Sequence, residues 1–312
     1  MKSLDMGIRM RSRRGKLAWL RAAGRYLALT VIGFTFLYPL LQVISTSIMS
    51  PDDLANPHVG WIPSVITLQN YISALTTLDF GASFARTLLL VCVSTLLQTA
   101  SCSLAGYAFA RFDFPGKRLW MALLLVSYML PFQITMIPLF VQFNTWHMLG
   151  SVWAFFVPAA LGQGIQSALC VLVFYQFYSQ LHQSLVDAAR IDGAGQMATY
   201  ARVALPLSGA AVIVTVVFSM VWYWNETDLA TLYQGFSQQT DGSGLTTLML
   251  KLEQFTNTYQ KAFDKSGASI DPLNDGILNA GIVLAMAPLI LFYLLVQRYF
   301  LESAESSGIT GE

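Results

Sequence analysis

The chain has 312 residues, of which 55% are hydrophobic and only 11% are charged, and its formal net charge at pH 7 is +1. About one quarter of the residues in soluble domains are charged, so this composition excludes an ordinary soluble protein and predicts an all-α polytopic membrane protein. The near-zero net charge gives no electrostatic reason to expect a nucleic-acid partner.

The chain begins with a basic segment, residues 1–25, which carries eight of the eighteen lysines and arginines. Apolar runs then alternate with polar stretches, so we predict a transmembrane domain at 26–300 that crosses the bilayer six times. The predicted spans are residues 26–48, 87–109, 119–140, 152–178, 209–224 and 277–300, and Pro131 and Pro138 should kink or partly unwind the third. The longer polar stretches are loops at 49–84, 179–208 and 225–275 and a tail at 301–312.

The basic residues predict how the chain is oriented in the membrane. Six spans place both ends of the chain on one side. If that side is the cytoplasm, it holds fourteen of the eighteen basic residues, as cytoplasmic segments usually do. We therefore predict a multi-pass protein of the bacterial cell membrane with both termini in the cytoplasm. Residues 179–208 then face the cytoplasm, and the loops 49–84 and 225–275 lie outside.

The loop at 179–208 is a polar island between two apolar runs, and it predicts a short helix of its own. Ser184 and Asp187 have the form of a capping box, in which side chains satisfy backbone amides of the first turn. The residues that follow, up to Ile191, are mostly good helix formers, and Gly193 stands where a left-handed stop would end the helix. Pro206 marks the return to the membrane. An ordinary helix on the membrane surface would explain the same pattern.

The predicted spans contain no residues suited to driving transport. Asp, Glu, Lys, Arg and His are absent from the middle of every span, which argues against an ion-driven carrier. Gly116-Lys117 is followed by Arg118, so this pair does not form a Walker phosphate loop. Neither His-Glu-x-x-His nor Gly-x-Ser-x-Gly occurs, and the histidines share no ligand spacing. We predict no catalytic residue and no metal site, and we expect the energy to come from another subunit.

Uncharged polar side chains within the spans are the candidates for a solute path. Amides donate and accept hydrogen bonds, which suits a neutral hydroxylated solute, and the absence of charge argues against an ionic one. Such side chains also join helices to one another in membranes, and this alternative stays open for each of them. The candidates are Gln98, Ser101, Gln133, Thr135, Gln163, Gln166 and Asn279.

The outer loop 225–275 contains the pattern of an amphipathic helix. Large apolar side chains recur there at intervals of three or four residues, with polar residues between them. They are Leu248, Leu252, Phe255, Tyr259 and Phe263. This face either folds back on its own chain or docks a soluble partner.

The polar island also carries a family resemblance. It contains Ala188-Ala-Arg-Ile-Asp-Gly-Ala194, followed by Leu205-Pro206. This motif resembles the cytoplasmic coupling loop of ABC importer permeases, and the aspartate directly before the glycine resembles the version in oligosaccharide importers. The chain departs from the family at Asp187, where a glutamate is usual. From about residue 88 onward it is similar to the smaller permease of carbohydrate importers of the maltose type. The landmarks are 105–111 with 114–117, Pro131 to Phe140, Trp224-Asn225 and Gln297 to Phe300.

The resemblance implies a type I ABC importer permease, with six transmembrane helices and a cytoplasmic coupling helix. It implies a second, homologous permease, two ATPase subunits and an extracellular binding protein that delivers a sugar. The ATPase would bind ATP and Mg²⁺, so we expect no cofactor in this chain. In the family the loop before the last span contacts the binding protein, which would place the apolar face in 225–275 there. The expected ATPase contacts are Leu185, Asp187, Ala188, Ala189, Arg190, Asp192, Gly193, Ala194 and Pro206. The alternatives are an ABC permease for a non-sugar solute, an ion-coupled secondary carrier, and a membrane scaffold or enzyme.

Overall fold

The computed structural model describes residues 2–234, 246–266 and 272–308, and these residues are almost all in helices or short connections. In these ranges there is no strand, and one isolated antiparallel bridge joins Met49 to Ile66. The all-α prediction is confirmed. A π-helix, Tyr200–Ala204, follows α10. The α-helices are α1 (Lys2–Ser47), α2 (Pro51–Ala55), α3 (Gln69–Thr77), α4 (Phe80–Arg111), α5 (Lys117–Met129), α6 (Phe132–Thr145), α7 (Trp153–Ala160), α8 (Ser167–Gln180), α9 (Gln183–Ile191), α10 (Gln196–Thr199), α11 (Leu205–Leu207), α12 (Gly209–Asn225), α13 (Asp228–Gln234), α14 (Leu248–Glu253), α15 (Phe255–Ser266) and α16 (Asp275–Gly308).

Three of the described helices are long and apolar enough to cross a membrane by themselves: Arg21–Ser47 of α1, all of α4, and Asp275–Tyr299 of α16. Two further pairs pass the test only together. They are α5 with α6, bent by 101°, and Gln196–Leu207 with α12, bent by 77°. Between three and five spans are therefore found among the described residues, and the total of six stays a prediction.

The bend between α5 and α6 lies at Pro131. Proline has no backbone N–H to continue the helix, and it forces the residue before it into an extended conformation. Leu130 has that conformation, with ψ 126°. The kink predicted in the third span is therefore present.

The fourth predicted span, 152–178, is not one continuous helix. Helix α7 ends at Ala160 and α8 begins at Ser167. Between them Gly162 and Gln166 have positive φ angles of 71° and 54°. Glycine adopts such angles freely, but they interrupt the right-handed helix. The polar, glycine-rich middle of the apolar run therefore breaks the helix that hydropathy alone would continue.

In the first of two compact units, the Asn70 side chain fixes the start of α3 against the end of α1. Its amide nitrogen donates to the carbonyls of Ser47 and Met49 at 3.0 and 2.8 Å. Gly276 leaves room for this amide, because a Cβ there would lie 2.6 Å from Asn70 Nδ2. The units are Met1–Ala74 with Pro272–Val283, and Leu75–Asp271 with Leu284–Glu312.

In the second unit, α7, α8 and α12 pack around α4. Helices α4 and α8 approach closely at Gly106, where a Cβ would lie only 2.9 Å from the backbone nitrogen of Tyr175. Small residues allow such close approach of membrane helices. The core beside this contact also receives residues from the π-helix and α12. Its buried members are Cys102, Tyr107, Cys170, Val171, Phe174, Tyr178, Tyr200, Ala204 and Ala211.

Candidate functional site

Helix α9 is the short helix predicted in the polar island, but its first turn differs from the prediction. It begins at Gln183, and the side chain of His182 before it makes no capping hydrogen bond. The predicted capping box of Ser184 and Asp187 is absent, so this prediction is wrong. Asp187 is the fifth residue of the helix, too far along to reach its first amides. Its carboxylate instead accepts a hydrogen bond from Gln183 Nε2 at 3.1 Å and lies 3.9 Å from the guanidinium of Arg190.

The end of α9 follows the prediction. Gly193 has a φ of +80°, in the left-handed region. The N–H of Ala194 donates to the carbonyl of Ala189 at 2.9 Å, and the N–H of Gly193 donates to that of Arg190 at 3.0 Å. These two bonds form a Schellman motif, which satisfies the last carbonyls of a helix and stops it. A Cβ at Gly193 would meet nothing within 4 Å, so the backbone angle alone requires glycine here.

Helix α9 buries one face and exposes the others. Val186 and Ala189 lie three residues apart on the buried face, and the helix packs on α10 and the π-helix. Of the expected ATPase contacts, Ala189 is therefore turned into the chain. Ala194 is half-buried, and the others are exposed: Leu185, Asp187, Ala188, Arg190, Asp192, Gly193 and Pro206.

The start of α9 is held by the last residue of α4. Arg111 Nη1 donates to Gln183 Oε1 at 2.9 Å, and Nη2 donates to the carbonyl of Leu181. A guanidinium carries several donors in a fixed plane, so one side chain fixes both the helix start and the backbone before it. This contact was not predicted from the sequence, because 72 positions separate Arg111 from Gln183. The available signal was an arginine closing an apolar run on the predicted cytoplasmic side.

Two large apolar side chains near the Gly193 turn are exposed to solvent. Ile191 is 85% exposed and Met197 is 63% exposed. These side chains leave apolar surface beside the turn that a partner subunit could cover. These two residues were not predicted from the sequence, because apolar periodicity identifies the buried face of a helix. The signal that could have identified Ile191 is its position outside the helix face shared by Val186 and Ala189.

The amide of Gln98, a candidate for the solute path, is fully buried and hydrogen-bonded. Its nitrogen donates to the carbonyl of Ile165 at 2.8 Å and to Ser219 Oγ at 3.1 Å. Its oxygen accepts from the Tyr223 hydroxyl at 2.6 Å. Gln98 therefore joins α4 to α12 and to the break between α7 and α8, which is the helix-joining alternative considered for it.

The other amides differ in exposure. Gln133, Gln163 and Gln166 are exposed, and Asn279 is half-buried. Gln163 and Gln166 lie together in the break between α7 and α8. Gln133 follows the bend at Pro131. The exposed amides therefore belong to the two places where apolar runs are interrupted.

The amphipathic segment of the outer loop is present as α14 and α15. Its apolar face is turned into the chain, and the backbone N–H of Leu248 donates to Thr87 Oγ1 on α4 at 2.7 Å. This placement favours the folded-back alternative. Of the five apolar residues, Leu248, Phe255 and Tyr259 are buried. Leu252 and Phe263 are half-buried.

Within residues 2–234, 246–266 and 272–308, no group of three His, Cys, Asp or Glu side chains is placed to hold a metal ion. The cysteines in these ranges form no disulfide.

Known proteins resemble the chain over most of its length. The family model described as "Binding-protein-dependent transport system inner membrane component" matches residues 103–304. The arabinooligosaccharides transport system permease protein of Halalkalibacterium halodurans is 28% identical over 304 residues, covering 95% of this chain and 97% of the relative. The polygalacturonan/rhamnogalacturonan transport system permease protein of Bacillus subtilis is 25% identical over 293 residues, covering 92% and 99%. A probable starch degradation products transport system permease protein of Thermoanaerobacterium thermosulfurigenes is 29% identical over 237 residues, covering 76% and 78%.

One solved structure shares the fold. A chain in the crystal structure of a bacterial ABC transporter involved in the import of the acidic polysaccharide alginate superposes with a TM-score of 0.76. The match covers 90% of this chain and 96% of that chain at 19% sequence identity. Identity this low establishes the fold alone, and it confirms the fold class predicted from the sequence.

Proposed function

Because the chain belongs to the family of binding-protein-dependent transport system inner membrane components, whose model matches residues 103–304, we propose that it forms half of the translocation path of an ATP-driven oligosaccharide importer. It is a subunit of a membrane transporter rather than an enzyme. A homologous permease would form the other half. Two separate ATPase subunits would bind ATP and Mg²⁺, and this chain needs no cofactor for its part.

One observation carries the coupling role: α9 is fixed at both ends and exposed between them. A nine-residue helix is marginal by itself in water. Here the Schellman stop at Gly193 closes one end and Arg111 holds the other. Force from an ATPase subunit on the exposed face would move α9 as one body and reach α4 through Arg111. Closure of the ATPase subunits would then shift the spans from an inward-open to an outward-open state.

The substrate class follows from the relatives and from the polar groups. Two of the relatives are named for arabinooligosaccharides and for polygalacturonan/rhamnogalacturonan, and the third is named for starch degradation products. The exposed amides of Gln133, Gln163 and Gln166 offer donors and acceptors to hydroxyl groups. The middle of the predicted spans carries no Asp, Glu, Lys, Arg or His, which fits a path for hydroxylated solutes and disfavours an ion-driven carrier.

We place the contact with the extracellular binding protein on the outer segment that contains α14 and α15. Their apolar face is turned inward, so the contact falls to the exposed polar side, which includes Asn257, Gln260 and Lys261.

The orientation with both termini in the cytoplasm rests on the distribution of basic residues. The inner membrane itself follows from the family.

Co-purification and reconstitution test the proposed function. We expect the chain, extracted in a mild detergent, to carry a second permease and two ATPase copies. In liposomes, ATP hydrolysis by this complex should rise when the binding protein is loaded with an oligosaccharide. Uptake driven by an ion gradient without an ATPase would establish a secondary carrier instead. Stimulation by a non-sugar solute alone would retain the importer and reject the sugar.

A further inference from the structure

Four buried hydroxyl groups meet where the polar island joins the spans. Each comes from a different element: α4, α8, the π-helix and the residue between α11 and α12. We call them the hydroxyl cluster, and its members are Ser103, Tyr178, Tyr200 and Ser208. Their exposed fractions are 0, 0, 9 and 0%.

The hydrogen bonds of the hydroxyl cluster form one directed chain. The Tyr200 hydroxyl donates to Ser103 Oγ at 3.0 Å, and Ser103 Oγ lies 2.8 Å from the Tyr178 hydroxyl. The Tyr178 hydroxyl donates to Ser208 Oγ at 3.1 Å, and Ser208 donates to the carbonyl of Leu205 at 2.8 Å. Each hydroxyl has one proton, so Ser103 must be the donor to Tyr178. The chain of bonds therefore leaves the polar island at Tyr200, passes through α4 and α8, and returns to the island at Leu205.

The segment that carries Tyr200 is a π-helix, in which the N–H of Leu205 donates to the carbonyl of Tyr200. A π-turn has one residue more than an α-turn, and such turns occur frequently at functional sites. Helix α9 packs on this π-helix. Movement of α9 therefore acts on the segment that carries Tyr200.

The hydroxyl cluster also lies beside a close contact between two helices. Helices α4 and α8 touch at Gly106, one turn from Ser103. The Tyr107 ring of α4 packs against both other tyrosine rings, with its centroid 5.1 Å from the Tyr200 ring and 5.4 Å from the Tyr178 ring. A displacement of Tyr200 is therefore imposed on both helices together.

We infer that the hydroxyl cluster transmits the movement of α9 to α4 and α8, with Tyr200 as the positioning residue at its entrance. This inference rests on the proposed function. It adds a second connection to the one through Arg111, and the two differ in kind. Arg111 holds the start of α9 to the end of α4, whereas the hydroxyl cluster binds the π-turn to the interior of the helix pair.

The experiment uses the reconstituted complex with its ATPase and binding protein. Tyr200→Phe removes the first hydrogen bond and keeps the ring, and Ser208→Ala removes the last two without touching an aromatic ring. Tyr175→Phe is the matched control, because it makes the same chemical change on α8 outside the hydroxyl cluster. Substrate transported per ATP is measured together with complex yield and the melting temperature.

We expect Tyr200→Phe to lower transport per ATP about fivefold, the factor for one buried hydrogen bond in a two-state equilibrium, and Ser208→Ala, which removes two such bonds, to lower it at least as much, while Tyr175→Phe retains the wild-type ratio. The double variant should lose no more than Ser208→Ala alone, because both substitutions break the same chain. A wild-type ratio in Tyr200→Phe overturns the inference. A lower yield or melting temperature with an unchanged ratio also overturns it, since the hydroxyl cluster is then only structural. Failure of the wild-type complex to couple ATP to a sugar rejects the proposed function instead.

Discussion

Arg111 Nη1 lies 2.9 Å from Gln183 Oε1, so the last residue of α4 is hydrogen-bonded to the first residue of α9. This bond joins the central helix of the second unit to a helix of the polar island that exposes most of its side chains. It also sets where α9 begins. The coupling role proposed for α9 depends on this attachment, and the first prediction tests it.

Arg111→Ala should leave the complex assembled and lower sugar-stimulated ATP hydrolysis about tenfold. The substitution removes two donors of a charged group, and the loss of a single such hydrogen bond at the lower limit of about 1.5 kcal/mol already corresponds to about tenfold. Arg111→Lys should recover part of the loss, because an ammonium group reaches one acceptor but cannot bridge two. The control is Arg118→Ala, which removes the same charge from an exposed position at the start of α5. Equal stimulation in the two alanine variants would reject the attachment.

Gly193→Pro should abolish coupling while the protein still inserts into the membrane. Proline fixes φ near −65°, and Gly193 needs +80°, so the Schellman stop cannot form. Gly193→Ala should have a milder effect, about 1–2 kcal/mol of local strain. Gly195→Ala is its control, because Gly195 has φ −69° and open space at the Cβ position. The measurement is sugar-stimulated ATP hydrolysis by the purified complex. Full stimulation in Gly193→Pro would show that the turn is dispensable.

Gly164→Ala should destabilise the permease. A Cβ there would collide with Gln98 Oε1 and the Tyr223 hydroxyl and lie 3.1 Å from Ala159 Cα. Overpacking of this kind costs about 1–3 kcal/mol. The melting temperature of the complex in detergent should therefore fall by several degrees. Gly209→Ala, at an open position that begins α12, should leave it unchanged. A wild-type melting temperature for Gly164→Ala would mean that the break between α7 and α8 is loosely packed.

The stability of the loop 49–84 should depend on pH through the carboxyl group of Asp53. Its buried carboxylate accepts hydrogen bonds from the Ser64 hydroxyl and from the N–H groups of Ser64 and Val65. The Ser64 hydroxyl is the main cause that lowers the pKa of Asp53 below its ordinary value of 3.8. The charged form is therefore favoured by folding. Its stabilisation is complete above the ordinary pKa and is lost as the pH falls through the lowered pKa.

Hydrogen exchange of residues 50–67 measures this effect. Asp53→Asn should exchange faster than wild type at pH 7. The difference should begin to shrink as the pH falls below about 4, the region of an ordinary aspartate pKa, and should vanish only below the lowered pKa of Asp53. Asp52→Asn is the matched control, because Asp52 is the next residue in the chain and its carboxylate is exposed. A difference between wild type and Asp53→Asn that persists unchanged into acid would contradict the charge-based account.

The sequence predicted features that depend on a few neighbouring residues. The left-handed stop at Gly193 is a property of one backbone angle, and the bend at Pro131 follows from a missing N–H. Both were readable because glycine and proline act locally. The break at 161–166 was visible as polar composition, yet the length of the apolar run favoured a continuous span. Hydropathy measures composition over a window, so it does not register two positive φ angles inside it.

Features set by distant contacts could not be read in this way. The capping box failed because α9 begins at Gln183, where Arg111 from the end of α4 holds it. Whether Gln98 faces solute or other helices depends on Tyr223, which lies 125 positions further along the chain. A single sequence contains no record of either pairing. The same reason explains why the hydroxyl cluster around Tyr200 emerged only from the structure.

Photo-crosslinking from Ile191 tests the central claim most directly. A benzophenone amino acid is placed at Ile191 in the assembled, transport-active complex, and the same probe at Asn257 of α15 serves as the control. The account predicts a crosslink from Ile191 to an ATPase subunit and none to an ATPase subunit from Asn257. A crosslink from Ile191 to the extracellular binding protein, or no crosslink to any ATPase subunit, would contradict the proposal that α9 receives the force of ATP hydrolysis.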